Sequence, residues 1–115
     1  MTLTPERVES RLYELSKEID VAHEELVKAE KAYHDAKARF EINIAHSRLN
    51  IGMNNMKLRV GDVADKALTE CGTEWFQLQQ AEALVKAARA NANRVRTQVD
   101  IARSIGTSVR ASMEV

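Results

Sequence analysis

The chain has 115 residues, of which 30% are charged, and it contains one proline, four glycines and five aromatic residues, a composition typical of long helices and coiled coils. Its 17 basic and 17 acidic residues cancel to a formal net charge of zero, and the single Cys71 excludes an intramolecular disulfide framework and favours a reducing compartment. No apolar stretch is long enough for a membrane span, and the charged N-terminal region is unlike a signal peptide, so we expect a cytoplasmic protein.

The charges alternate in sign along the chain in four blocks. Residues 1–35 carry a net charge of −4, residues 36–60 carry +4, residues 61–85 carry −4 and residues 86–110 carry +5. A single reversal of the chain near residue 55 would place each block beside one of opposite sign. The charge pattern therefore predicts an antiparallel hairpin.

The first helix has a clear start signal. Thr4 offers a capping hydroxyl, Pro5 suits the first helical position and Glu6 places an acid in the first turn. Apolar residues then recur at alternating spacings of four and three, which is the heptad pattern of a coiled-coil seam. One row of the seam contains Val8, Leu15, Ala22, Ala29 and Ala36, and the other contains Leu12, Ile19, Leu26, Tyr33 and Phe40. This spacing predicts a long helix over about 5–49.

A turn and short connector are expected at about 50–61, where several Asn and Gly residues favour turns. Asp62 is the predicted N-cap of a second long helix over about 62–105. The apolar stripe of this helix contains two successive steps of three residues, a local phase slip. Its members are Leu68, Cys71, Trp75, Leu78, Ala81, Val85, Ala88, Ala92, Val95, Val99 and Ala102.

Two glycines bear on the second helix. Gly72 lowers helix propensity inside it, and whether it divides the helix stays open. Gly106 is predicted to end the helix and to leave a short tail at 106–115. Together the elements predict an all-α fold, in which residues 1–115 form one domain, an elongated antiparallel coiled-coil hairpin.

Self-association is expected because a two-helix hairpin buries only one stripe per helix. Further apolar residues lie off the seam: Val27, Ile42, Ile44, Ile51, Met53, Met56, Leu58, Phe76, Leu84 and Ile101. A homo-oligomer is the most economical way to cover them. The residues assigned to the core seam or to oligomer contacts are Leu12, Ile19, Leu26, Tyr33, Phe40, Trp75 and Leu78.

Motifs for catalysis, metals or cofactors are missing from the sequence. Cys71 falls on the seam, where a buried structural thiol is expected rather than a nucleophile. His23, His34 and His46 lie eleven and twelve residues apart, unlike the three- or four-residue spacing of two metal ligands on one helix face. We therefore expect no enzyme activity, no catalytic residue, no metal and no cofactor.

Basic residues near the turn form the candidate binding site. Arg48, Lys57 and Arg59 cluster there, and the turn region 51–60 holds two bases and no acid. Such a cluster suits a nucleic acid, because affinity grows with the number of phosphates neutralised. The larger basic block at 86–110 would face the acidic N-terminal block, so we expect it to be neutralised mostly within the hairpin.

Three features resemble the UvsY-type recombination mediators of phages: the Lys57-Leu58-Arg59 triplet, a following helix that bears Trp75, and a long helix with spaced bases that ends near Arg103-Ser104-Ile105-Gly106. The resemblance implies a ring-like homo-oligomer in the host-cell cytoplasm that binds single-stranded DNA. Such a protein helps to load a RecA-like recombinase onto DNA covered by single-strand-binding protein, without a catalytic centre. Lys57 and Arg59 are the implied DNA contacts, and Arg48 is added from the charge pattern.

The main alternative is a structural or adaptor coiled coil that binds another protein and pairs all of its basic blocks internally. Binding to single-stranded DNA at low salt distinguishes the two hypotheses. A secreted hairpin of the Trp-x-Gly type is disfavoured, because the turn contains Asn50-Ile51-Gly52 and Trp75 falls within a helix.

Overall fold

A computed structural model describes residues 3–113, and it is helical over nearly all of this range. Helix α1 spans Pro5–Asn54, α2 spans Val60–Glu70 and α3 spans Gly72–Met113. No residue in the described range belongs to a β-strand. The all-α prediction is confirmed, with three helices where the sequence predicted two.

The helices pack into two compact units, and the first combines the described parts of Met1–Val27 and Lys86–Val115. In this unit α1 and α3 pack side by side. The buried residues of the shared core are Leu15, Ala22, Val95, Val99 and Ala102. Leu15 is only 1% exposed, whereas Leu12 and Ile19 are half-buried at the edge of the core. The heptad row that contains Leu15 is therefore the more deeply buried of the two.

The second unit is Lys28–Val85, and it contains the connector between α1 and α2. Its buried residues are Ile44, Ile51, Ala67 and Cys71, with Phe40, Leu58 and Val63 packed against them. The core thus draws on α1, the connector, α2 and the junction between α2 and α3. This arrangement positions the basic residues of the predicted turn.

Helix α1 begins as predicted but ends later than predicted. Its start is capped by Thr4, whose Oγ1 accepts a hydrogen bond of 3.3 Å from the Arg7 N–H. At the other end, α1 continues to Asn54 instead of stopping near residue 49. Ile51 explains the extension, because it is buried against Ile44 and continues the apolar stripe of α1. This burial outweighs the turn preference of the neighbouring Asn and Gly residues, and the connector shortens to five residues.

Helix α2 begins at Val60, two residues before the predicted N-cap Asp62. The residue in the cap position is Arg59, whose backbone is extended and whose side chain makes no capping hydrogen bond. Asp62 lies in the first turn instead, where its negative charge interacts favourably with the helix dipole. An acid in the first turn and an acid at the cap give similar sequence signals, which accounts for the error.

The second predicted helix is divided at Cys71. This residue leaves the helical conformation (φ −95°, ψ 23°), and Gly72 begins α3. The break is small, because the Cys71 N–H still donates to the Ala67 carbonyl at 3.0 Å and the Cys71 carbonyl accepts from the Trp75 N–H at 2.9 Å. In α2, which precedes the break, Ala67 is fully buried, whereas the predicted seam residue Leu68 is exposed.

Trp75 lies off the seam, contrary to the sequence prediction. It is 44% exposed, and Glu74 occupies the half-buried position beside it. The steps from Cys71 to Glu74 and from Glu74 to Leu78 are three and four residues, so the regular spacing continues without the predicted phase slip. The prediction followed the apolar character of Trp75 instead of the spacing.

Helix α3 does not end at Gly106 but continues to Met113. Gly106 is buried, and a Cβ atom built on it would lie 3.0 Å from Cγ1 of Val8 in α1. One turn later Arg110 and Glu9 form an ion pair of 3.7 Å. Glycine at this position therefore allows close approach of two antiparallel helices instead of ending one of them. The predicted tail is helical as far as it is described, and its last two residues lie outside the described range.

Replacing Leu15 with Ala should lower the free energy of unfolding by about 2–5 kcal/mol, because the substitution leaves a cavity in the core of the first unit. The matched Leu12→Ala substitution should cost less, because Leu12 is half-buried. Urea denaturation followed by circular dichroism measures both values. A larger loss for Leu12→Ala would contradict the burial assigned to the two rows.

Replacing Gly106 with Leu should lower the melting temperature, because overpacking against Val8 costs about 1–3 kcal/mol. Gly52→Ala is the matched control, since Gly52 is also helical but has nothing within 4 Å of its Cβ position. That control should gain up to about 1 kcal/mol from helix propensity. Thermal melting would refute the close approach of the helices if Gly106→Leu were as stabilising as Gly52→Ala.

Candidate nucleic-acid interface

The connector between α1 and α2 presents Lys57 and Arg59 on either side of an anchored Leu58. A hydrogen bond of 3.1 Å from the Leu58 N–H to the Asn55 carbonyl closes the turn. Leu58 is half-buried and packs against the core of the second unit. Its two basic neighbours are exposed, because anchoring the middle residue inward leaves the residues before and after it facing solvent.

Arg48 reaches the same region from α1. It is exposed and lines a groove of about 500 Å³ together with the apolar residues Met56, Leu58, Val60 and Val63. Its guanidinium supplies positive charge to a surface that is otherwise apolar or uncharged. We call residues 48–60 the tip segment.

The three predicted contact residues thus lie in one segment but do not share a single pocket. Lys57 and Arg59 are not part of the lining of the groove that contains Arg48. They follow and precede residues that do line it, since Met56, Leu58 and Val60 alternate with them in the sequence. A ligand that used all three bases would have to extend from the groove onto the connector.

The bases of the tip segment are not neutralised by neighbouring acids. Among residues 3–113, none of the carboxylates is within ion-pair distance of Arg48, Lys57 or Arg59. In the first unit, by contrast, Arg110 pairs with Glu9 at 3.7 Å. That pair joins the C-terminal basic block to the acidic N-terminal block, but Arg96 and Arg103 of the same block are exposed and make no ion pair with a described residue, so the neutralisation expected for this block is only partial.

A polar cluster that the sequence pattern did not predict lies on the seam next to the tip segment. The Asn43 Nδ2 donates to Glu74 Oε1 at 3.4 Å, and the Ser47 hydroxyl donates to Glu70 Oε2. Both hydrogen bonds connect α1 to the α2–α3 region across the seam. The three-residue spacing from Cys71 to Glu74 could have predicted a polar residue on the seam, but the apolar Trp75 was assigned to this position instead.

Cys71 lies within this cluster as a buried thiol. Burial raises its pKa above the ordinary value, the negative charges of Glu74 and Glu70 raise it further, and the hydrogen bond with Ser47 opposes them. The thiol is therefore neutral at neutral pH. A neutral, buried thiol is a poor nucleophile, so this environment suits the structural role expected for Cys71.

The three histidines were the other candidate residues for a metal site. His23, His34 and His46 are all exposed. In the described part of the chain, no group of three His, Cys, Asp or Glu side chains is arranged to hold a metal ion. Within the same residues, no helix combines the length and the apolar character needed to cross a membrane.

Comparison of the chain with protein-family models, with curated proteins and with solved structures finds no match. The tip segment is the part where exposed bases, an apolar groove and the lack of nearby acids coincide.

Alkylation of Cys71 by iodoacetamide should be slower in the native chain than in the chain unfolded in urea. The midpoint of the plot of alkylation rate against pH should also lie at a higher pH for the native chain. The pKa of Cys71 is higher in the folded chain than in the unfolded chain. The neutral thiol therefore stabilises the fold at pH values below the pKa of the unfolded chain, and this stabilisation is lost as the pH rises through the pKa of the folded chain. Glu74→Gln should lower the native midpoint, because it removes a negative charge beside the thiol. A native midpoint at or below that of the unfolded chain would refute the assigned environment.

Proposed function

We propose that the chain is a ring-like homo-oligomer that binds single-stranded DNA and acts as a recombination mediator. In this role it would help to load a RecA-like recombinase onto DNA covered by single-strand-binding protein. The observation that carries the proposal is the exposure of Lys57 and Arg59 on both sides of the anchored Leu58, in a segment without acids. The Lys57-Leu58-Arg59 triplet is also the central element of the resemblance to UvsY-type mediators.

Phosphate groups are the ligand that the tip segment fits best. Each Lys or Arg that neutralises a phosphate releases counterions, which favours binding and makes it depend on salt. Lys57 and Arg59 supply such charges without first breaking an ion pair to another described residue. Most of the affinity would therefore come from the DNA backbone, with weak sequence preference.

The groove beside Arg48 favours a single strand over a duplex. An unpaired base has an exposed apolar face, and the groove offers the apolar side chains of Met56, Leu58 and Val60 together with a guanidinium on which a base can stack. In a duplex the same base faces are stacked and out of reach. Aromatic residues do not line this groove, so the stacking contribution is modest.

Self-association would make these modest contacts sufficient. One tip segment offers three bases, but several copies along one strand act together through their high effective concentration. The binding of a single strand to several tips also provides a means of organising it for a recombinase. The catalytic steps of recombination then belong to the recombinase, which agrees with the lack of catalytic motifs in the sequence.

A second candidate function is supported by a different observation. Trp75 and Phe76 are adjacent, large and 44% and 57% exposed, and aromatic residues on a surface are typical of protein–protein contacts. An adaptor coiled coil would use this surface to bind another protein and would not need the tip bases.

The double variant Lys57→Ala/Arg59→Ala should bind a short single-stranded oligonucleotide more weakly than the wild type, by about tenfold or more at low salt. The slope of log affinity against log salt should become shallower by about 0.7 for each phosphate that is no longer neutralised. Oligomer size, measured by light scattering, should not change.

The matched control is Arg96→Ala/Arg103→Ala, which removes the same charge from exposed positions of α3 in the first unit. It should retain most of the affinity. Equal losses in the two variants would show non-specific attraction, and wild-type binding that ignores salt between about 50 and 200 mM would refute the proposal. No retention of the wild type on single-stranded DNA at low salt would favour the adaptor function.

A further inference from the structure

We propose that Met56 and Val60 hold an unpaired base in the groove beside Arg48, and that the chain thereby opens base-paired segments of DNA. The proposal rests on the DNA binding proposed for the tip segment, and it names the residues that select unpaired strands. Lys57 and Arg59 do not make this selection, because the phosphates that they would contact are present in single strands and in duplexes alike.

Met56 and Val60 are the most exposed large apolar side chains in the part of the chain that the structure describes, at 89% and 88%. Leu58 separates them in the sequence, and it is half-buried and packs against the core of the second unit. The fold therefore uses only the middle residue of the three as an anchor. Covering the other two with an apolar surface is favourable, and it takes nothing away from the core.

The residues that line the groove differ in burial. Around its volume of about 500 Å³, Leu58 and Val63 are half-buried, whereas Met56, Val60 and Arg48 are exposed. The half-buried pair forms the deeper part of the groove, and the exposed residues form its rim. A flat ring that entered the groove would pack on the deeper pair and be held between the side chains of the rim.

An unpaired base is the occupant that these surroundings fit. A base has apolar faces, a polar edge and a negatively charged backbone attached to it. The groove offers apolar side chains for the faces, and Asn55, which also lines it and is exposed, has an amide that can both donate to and accept from the edge. Residues 48–60 contain three basic residues and no acid, so the attached backbone is attracted to the same segment.

The connector separates the two kinds of contact by alternation. Met56, Leu58 and Val60 line the groove, and Lys57 and Arg59 between them do not. A nucleotide is divided in the same way, because its sugar holds the base and the phosphate apart. One strand can thus place a base in the groove while its phosphates meet Lys57 and Arg59.

Selection of unpaired bases shifts the pairing equilibrium of DNA. In a duplex both faces of a base are stacked and its edge is paired, so the groove can bind only a base that has left the stack. A ligand that binds one state more tightly shifts the equilibrium towards that state, whereas equal affinity for both states shifts nothing. The chain should therefore lower the melting temperature of short base-paired segments, and this activity should depend on Met56 and Val60.

The variant Met56→Ser/Val60→Ser tests the assignment without changing the charge. Three labelled probes are compared: an unstructured single strand, its duplex, and an abasic strand of the same length. The wild type should prefer the single strand to both other probes by about fivefold or more, which is roughly the contribution of one stacked base. The variant should lose this preference. Its affinity for the duplex and its salt dependence should stay those of the wild type, since Lys57 and Arg59 remain.

Met53→Ser is the matched control, because Met53 is also exposed in the tip segment, at 70%, but does not line the groove. It should bind all three probes like the wild type. Melting of a weakly paired DNA hairpin, followed by ultraviolet absorbance, provides the second readout. The wild type and Met53→Ser should lower its melting temperature, and Met56→Ser/Val60→Ser should lower it less.

Other outcomes would overturn the assignment. Equal wild-type affinity for the three probes would show that the tip segment binds only the DNA backbone, and it would leave the DNA binding of Lys57 and Arg59 standing. An unchanged preference in Met56→Ser/Val60→Ser, or an equal loss in Met53→Ser, would place the base outside the groove. A wild type that binds none of the probes at low salt would refute the proposed function together with this assignment. Circular dichroism and light scattering check that the variants fold and assemble like the wild type, as expected for substitutions at exposed positions.

Discussion

The seam between α1 and the two later helices is the constraint on which the other features depend. In each unit, residues spaced by three and four on one helix pack against residues with the same spacing on an antiparallel neighbour. A pair of helices can bury only the sides that face each other. The seam therefore accounts for the buried residues, and it equally determines which apolar residues are left outside.

Polar residues on the seam fix how the helices are aligned in the second unit. Asn43 is paired with Glu74 and Ser47 with Glu70. Sliding the helices by one turn would break both hydrogen bonds. A polar pair within an apolar seam is a known means of specifying register. Here the register also sets the position of the connector, and with it the placement of Lys57 and Arg59.

The sequence predicted the helical elements better than their ends. The start at Thr4 and the heptad pattern of α1 were identified because they are local or strictly periodic signals. The later end of α1 and the continuation of α3 past Gly106 were missed, because burial of Ile51 and the contact of Gly106 with Val8 arise only from tertiary packing. Local preferences of about 1 kcal/mol per residue are easily outweighed by such contacts.

The candidate site could likewise be predicted in part from local sequence and in part only from tertiary packing. The basic residues of the tip segment could be read from the sequence, because residues 48–60 contain three bases and no acid. Their arrangement around Leu58 required the packing of the connector, which no local pattern encodes. The predicted position of Trp75 was wrong for a related reason: the spacing of the seam selects Glu74, whose carboxylate accepts a hydrogen bond from Asn43 there.

One seam leaves many apolar side chains exposed, and we propose that further copies of the chain cover them. The mass of the unmodified protein in solution, followed by light scattering over about a hundredfold range of concentration, tests it most directly. The account predicts a mass that is a multiple of 12.9 kDa and falls towards that value on dilution. A mass of 12.9 kDa at every concentration would contradict it.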